Sequence, residues 1–139
     1  MSEPWGELIT ASTILELHEK VRKGPEKKLV SVAKEGCVEG SLGAAWNAEH
    51  FMREEDDTYR AGLVFAAFLL FYLAKNQCFT DGNKRTALAS AHEVLSGLGL
   101  TIRATSDEIA DFVVDIARGE VRTSRAVAAW MAGRLMELQ

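Results

Sequence analysis

Proline is almost absent from this chain: two in 139 residues, Pro4 and Pro25. From Glu26 onward nothing breaks a helix, and the apolar–polar alternation of half-buried strands is scarce. The expected fold is therefore mostly helical. Cys37 and Cys78 are too few for a disulfide framework, so both are expected as small buried hydrophobes in a reducing cytoplasm. His18, His50 and His92 are scattered, and no Cys/His spacing suggests zinc. A basic excess is missing, with 16 Lys+Arg against 20 Asp+Glu and a net charge of -4, which argues against direct nucleic-acid binding. The uncharged run from Ala61 to Ala74 is shorter than the ~20 residues of a membrane span and reads as a buried core helix. Met1 to Trp5 carries neither a basic nor an apolar leader region, so no signal peptide is expected. Repeats and low-complexity tracts are also lacking.

At 47% hydrophobic and 26% charged, the chain can form a packed core. Its length fits one domain, residues 1–139. A first helix is expected from Thr10 to Arg22, with Ile14, Leu17 and Val21 on its apolar face, stopped by Lys23-Gly24-Pro25. Glu26 to Gly36 reads as a charged connector with an apolar patch at Leu29-Val30. Gly36 to Gly43 reads as a loop leading to a short helix around Leu42 to Phe51, and Arg53 to Asp57 as a solvated polar segment. A central helix from about Asp57 to Lys75 is apolar on more than one face and should be buried nearly all round. After a short loop, Asn76 to Asp81, the next helix runs from Gly82 to Ser96 and stops at Gly97 and Gly99. Leu100 to Arg103 is expected to be briefly extended. Ser106 is expected to cap a helix to Ala117, and Thr123 or Ser124 to start the last one.

The densest chemistry lies in Phe79-Thr80-Asp81-Gly82-Asn83-Lys84-Arg85-Thr86, at a predicted helix start. The first amides of a helix have no intrahelical partner and can bind an anion. Gly82 has no side chain to obstruct a phosphate. Lys84 and Arg85 add positive charge, and Arg85 can grip phosphate through two N–H groups. Asp81 could hold Mg²⁺, which commonly binds one or two carboxylates plus substrate phosphates. Phe79 is the large apolar residue of the loop and should anchor it in the core. The plainer alternative is an ordinary helix cap followed by solvated cations, since Asp-Gly-Asn is good turn chemistry.

The string Gln77-Cys78-Phe79-Thr80-Asp81-Gly82-Asn83-Lys84-Arg85 resembles the signature of the Fic/Doc superfamily, His-x-Phe-x-Asp/Glu-Gly/Ala-Asn-Gly/Lys-Arg. Lys84 and the following Thr86-Ala87-Leu88 match the Doc (death-on-curing) branch more closely. A second arginine found in AMP-transferring Fic proteins would fall at Leu88. Leu15 to Glu19, Gly36 to Asn47 and Ala117 to Glu120 resemble further parts of the family, extending the likeness over roughly Ile9 to Trp130. The resemblance implies an all-α fold around a central buried helix pair, with the motif at their junction. It also implies a nucleotide site, with Asp81 on Mg²⁺ and with Asn83, Lys84 and Arg85 on the phosphates of ATP. In Doc-like toxins the implied activity moves phosphate from ATP to a hydroxyl of elongation factor Tu. In Fic proteins proper it moves AMP. A cognate antitoxin and a cytoplasmic setting come with the toxin reading, and no membrane partner does.

Gln77 departs from that pattern. Histidine at this position takes the proton from the attacking hydroxyl. A neutral amide does not titrate near pH 7 and cannot be that general base. Cys78 replaces the usual proline. Three explanations for Gln77 stand open: a natural degenerate relative, an inactivating change in a toxic protein, or another base, with His92 the first candidate. Three functions correspond to this sequence: a silenced or weakened phosphotransferase, a pseudoenzyme that binds nucleotide or protein without chemistry, and a structural protein whose motif is only a cap.

Overall fold

The computed structural model describes residues 9–22, 33–52 and 58–138. Six helices and one small sheet follow in order: α1 (Ala11–Val21), α2 (Cys37–Met52), α3 (Thr58–Asn76), α4 (Asn83–Gly97), β1 (Leu100–Ile102), α5 (Ser106–Ala117), α6 (Ser124–Ala132) and β2 (Leu135–Glu137). The fold is all-α, as the scarcity of proline and of alternating runs suggests. Helix α3 lies at its centre. Phe65 through Phe71, Leu73 and Ala74 are buried, and α2, α4, α5 and α6 all pack on α3. A helix without a polar face has to be covered on every side, and this one is. Helix α1 packs on α4 and α2. No helix among the described residues is long and apolar enough to cross a membrane.

Capping follows local chemistry. Thr10 caps α1 by accepting a hydrogen bond from the Thr13 N–H at 3.2 Å, and Thr123 caps α6 through the Ala126 N–H at 3.1 Å. The cap of α5 is Thr105 rather than Ser106. Thr105 Oγ1 accepts from the Glu108 N–H at 3.1 Å, while the Glu108 carboxylate accepts from the Thr105 N–H at 3.4 Å. This reciprocal pair satisfies two amides at once, which Ser106 one position later could not do.

Three other expectations change. The segment Gly36 to Gly43 is not a loop, because α2 begins at Cys37. Each helical glycine costs about 1 kcal/mol relative to alanine. Burial of Val38, Leu42 and Ala45 along one face outweighs the cost of Gly40 and Gly43. The chain also forms a strand after α6 that no periodicity announced: β2 pairs antiparallel with β1, Leu100 opposite Glu137 and Ile102 opposite Leu135. Three residues are too short to show alternation, and this strand exists through its partner. Finally, Cys37 and Cys78 are joined in a disulfide. Cys78 is indeed fully buried, but the start of α2 lies under the loop after α3. Residues 41 apart in sequence therefore come within 5.4 Å between Cα atoms. The patch at Leu29-Val30 and the segment Arg53 to Asp57 lie outside the described residues.

Candidate phosphate-binding site

The site is the loop between α3 and α4, held from three directions. Where α3 ends, the Asn76 side-chain amide donates to Ser41 Oγ at 2.9 Å, and that hydroxyl donates to the Cys37 carbonyl at 2.8 Å. Gln77 follows in the left-handed region, φ 48°, the one non-glycine residue there among those described. A helix commonly stops on such a residue, usually glycine or asparagine. Glutamine in this conformation bears a strain of order 1 kcal/mol. Its side chain is exposed at the rim of the loop. Cys78 is fixed by the disulfide, and its carbonyl accepts from the Lys34 N–H at 2.7 Å.

Phe79 then turns inward and is buried, as expected. Asn83 brackets it from the other end of the loop. Its Oδ1 accepts from the Phe79 N–H and its Nδ2 donates to the Phe79 carbonyl, both at 2.8 Å. The Asn83 side chain is thus committed to the loop's own backbone. In this arrangement the side chain shapes the loop.

Helix α4 starts after Gly82, which sits at φ 73° and offers no side-chain cap. The first intrahelical bond runs from the Thr86 N–H to the Gly82 carbonyl at 2.9 Å, so the turn before it directs its amides off the helix end. Lys84 and Arg85 are both exposed on this first turn. The reason for glycine at position 82 differs from the one expected. A Cβ there would point away from a ligand on the helix end, toward Arg22 Cγ at 3.5 Å and the His18 ring at 3.6 Å. Those are ordinary contacts, so the requirement for glycine comes from the positive φ.

The third support is α1, and here the structure adds residues that sequence reasoning missed. His18 lies buried beneath the loop, its ring stacked on Phe79 with centroids 3.8 Å apart. Its Nε2 is 3.1 Å from the Asp81 carbonyl. A carbonyl only accepts, so that nitrogen carries the proton and donates. Arg22 is buried as well. Its Nε is 3.2 Å from Asp81 Oδ1, in ion-pair contact without hydrogen-bond alignment. Its other end donates to Glu19 at 3.2 Å. Ile14, His18 and Arg22 recur at four-residue steps, so the buried stripe of α1 is rotated from the one drawn through Ile14, Leu17 and Val21. Two polar residues on that stripe were the available signal.

His18 is not a replacement base, because its ring is covered and its Nε2 proton is held by Asp81. His92 is half-buried on α4, nine residues after Asn83 and so about 13 Å along the axis from the motif. Burial pushes its pKa below the ordinary value by penalising the charged form. His50 is on α2, thirteen residues past Cys37 and about 20 Å along that axis.

The magnesium implied for Asp81 would meet a carboxylate that already has a cationic partner on one oxygen. Oδ1 is enclosed and faces Arg22 at 3.2 Å and His18 Nε2 at 4.0 Å. Two like unit charges 4 Å apart near a protein surface repel by about 4 kcal/mol, and a divalent ion doubles that. A metal on Oδ1 would have to displace the guanidinium, and one on the other carboxylate oxygen would sit close to it.

A family model described as Fic/DOC family matches residues 8–95, more than half of the chain. It spans α1 through most of α4 and includes the whole loop. The chain belongs to the Fic/DOC family. The late Ala117 to Glu120 turn lies outside the matched span. No curated protein matches the chain.

Proposed function

We propose that this chain is a Doc-branch phosphotransferase scaffold that binds ATP at the first turn of α4 and is nearly inactive because Gln77 replaces the general base. One observation carries the reading. The loop is fully braced, by the disulfide, the Asn83 bracket and α1, yet the residue at its exposed rim is an amide. Lys84 in place of glycine and Leu88 in place of a second arginine favour phosphate transfer over AMP transfer.

In the proposed reaction an acceptor hydroxyl attacks the γ-phosphorus, the bond to the bridging oxygen breaks, and ADP leaves. Arg85 and Lys84 meet the phosphate charge, and the amides of the α4 end orient it. No step is routed through a metal. The hydroxyl proton must go elsewhere. Gln77 can accept a hydrogen bond through its carbonyl and orient the hydroxyl, but it does not keep the proton. Loss of a positioned base typically costs 10²–10⁴-fold. The proposed acceptor is a translation factor, elongation factor Tu, with a cognate antitoxin as partner and the cytoplasm as setting. Disulfides are rare in that compartment, so the state of the Cys37–Cys78 bridge bears on the location.

The test is Gln77→His. The variant should transfer labelled phosphate from ATP to elongation factor Tu and arrest growth on induction, with nucleotide affinity little changed. If it does neither while still binding ATP, the chain is a nucleotide-binding pseudoenzyme, a reading that the ion pair of Asp81 with Arg22 favours. If the unaltered chain already transfers at the variant's rate, the general-base role of position 77 is refuted.

A further inference from the structure

We propose that Arg22 takes the place of a divalent cation on Asp81, so that the site receives phosphate ligands in their metal-free form. The proposal rests on the phosphate-site reading above and concerns which cation Asp81 keeps.

The geometry is specific. The Arg22 side chain is only 3% exposed and places Nε 3.2 Å from Asp81 Oδ1. The next residue, Gly82, lies over the Arg22 stem, its Cβ position 3.5 Å from Cγ. His18 holds the Asp81 backbone at 3.1 Å. Both the carboxylate and the main chain of Asp81 are therefore fastened to α1. Lifting the loop off this pair would break the His18–Phe79 stack and the His18 bond to the Asp81 carbonyl. Among the described residues no group of three His, Cys, Asp or Glu forms a cage that would compensate.

The charge balance follows. Arg22 is shared between the buried face of Asp81 and the exposed Glu19, so it offsets the Asp81 charge at short range, while Lys84 and Arg85 add exposed positive charge on the first turn of α4. Phosphate is then attracted without a bridging metal. In the ordinary arrangement magnesium screens the repulsion between carboxylate and phosphate. Here a fixed, weakly hydrated guanidinium does so, and it needs no free ion.

Two measurements test this. The first is calorimetric titration of ATP with chelator and with excess magnesium. The unaltered chain should change affinity less than about threefold, under 0.7 kcal/mol. Arg22→Gln should become dependent on magnesium by about tenfold or more, while Arg22→Lys, which keeps a cation, should stay insensitive. The second uses no nucleotide: Mn²⁺ alone, followed by water-proton relaxation. The unaltered chain should show no enhancement, Arg22→Gln should gain one, and adding Asp81→Asn should abolish it. The proposal is overturned if the unaltered chain binds Mn²⁺ in a way that Asp81→Asn removes, or if Arg22→Gln, folded by circular dichroism, gains nothing. Should Arg22→Gln not fold, the unaltered chain and Arg22→Lys still decide, since Mn²⁺ binding to either at Asp81 refutes the substitution. Absence of ATP binding under every condition would instead strike the phosphate-site reading, and the Mn²⁺ arm would still judge Arg22.

Discussion

Breaking the Cys37–Cys78 bridge should weaken this protein substantially, and the size of the loss can be worked out. The bridge closes a loop of 41 residues that contains all of α2 and α3. Closure entropy for that length, taken from the unfolded chain, is about 4 kcal/mol, and measured values commonly fall to ~2–4 kcal/mol. For a chain of this size each kcal/mol moves the unfolding midpoint by about 3–4 °C, so reduction should lower Tm by roughly 6–15 °C. The bridge also fixes residue 78 next to Gln77, so the loss should appear locally before it appears globally. Amide exchange at Phe79 and Asp81 should speed up under reductant more than exchange at Phe65 or Phe68, which are buried in the centre of α3. The assay is guanidinium unfolding with and without reductant, with thiols counted in denaturant. The Cys37→Ala/Cys78→Ala variant should match the reduced chain and ignore reductant. Two titratable thiols in the air-oxidised protein, or a difference under about 1 kcal/mol, would refute the argument.

Arg85→Ala should weaken ATP binding by ~1.5–3 kcal/mol in calorimetry, the scale of a hydrogen bond to a charged group, and unchanged affinity would remove Arg85 from the site. Asn83→Ala removes both bonds to the Phe79 backbone and should cost about 1–3 kcal/mol of stability; an unmoved denaturation midpoint would show that the bracket is dispensable. His92 should make stability depend on pH. Its folded pKa lies below the ordinary 6.5, so the native state binds fewer protons, and stability present above pH 6.5 should fall as pH drops toward the folded value. His92→Gln should flatten that slope between pH 7 and 5, and a slope that persists would assign it to other groups.

Much of the fold is legible from local rules because most of its elements are decided locally. Helix α3 announces itself by an apolar run too long for one face, and it is buried on every side. Helix α4 starts within one residue of the expected position because Asp-Gly-Asn turns the chain there and Gly82 takes the positive φ before the first turn. Where those rules fail, the deciding partner is distant. Gly40 and Gly43 suggest a loop, but Val38, Leu42 and Ala45 find a core to enter. Leu135 to Glu137 shows no pattern of its own and becomes a strand because Leu100 to Ile102 is beside it.

The same division runs through the site. The residues of the string from Phe79 to Arg85 are contiguous, so their chemistry could be read from spacing alone. Their countercharges are not contiguous. His18 and Asp81 are separated by 63 positions and meet only because α1 packs against the start of α4. That contact changes the meaning of two motif residues. Asp81, read by itself, is a carboxylate awaiting a hard cation. Beside a buried guanidinium it already has a cationic partner. Gly82, read by itself, clears space for a ligand. Above Arg22 and His18 it is a backbone turn that lets the loop rest on α1. Lys84 and Arg85 are exposed on the first turn of α4. The inward-facing residues of a motif are therefore the hardest to read from sequence, because an inward side chain takes its role from whatever it packs against.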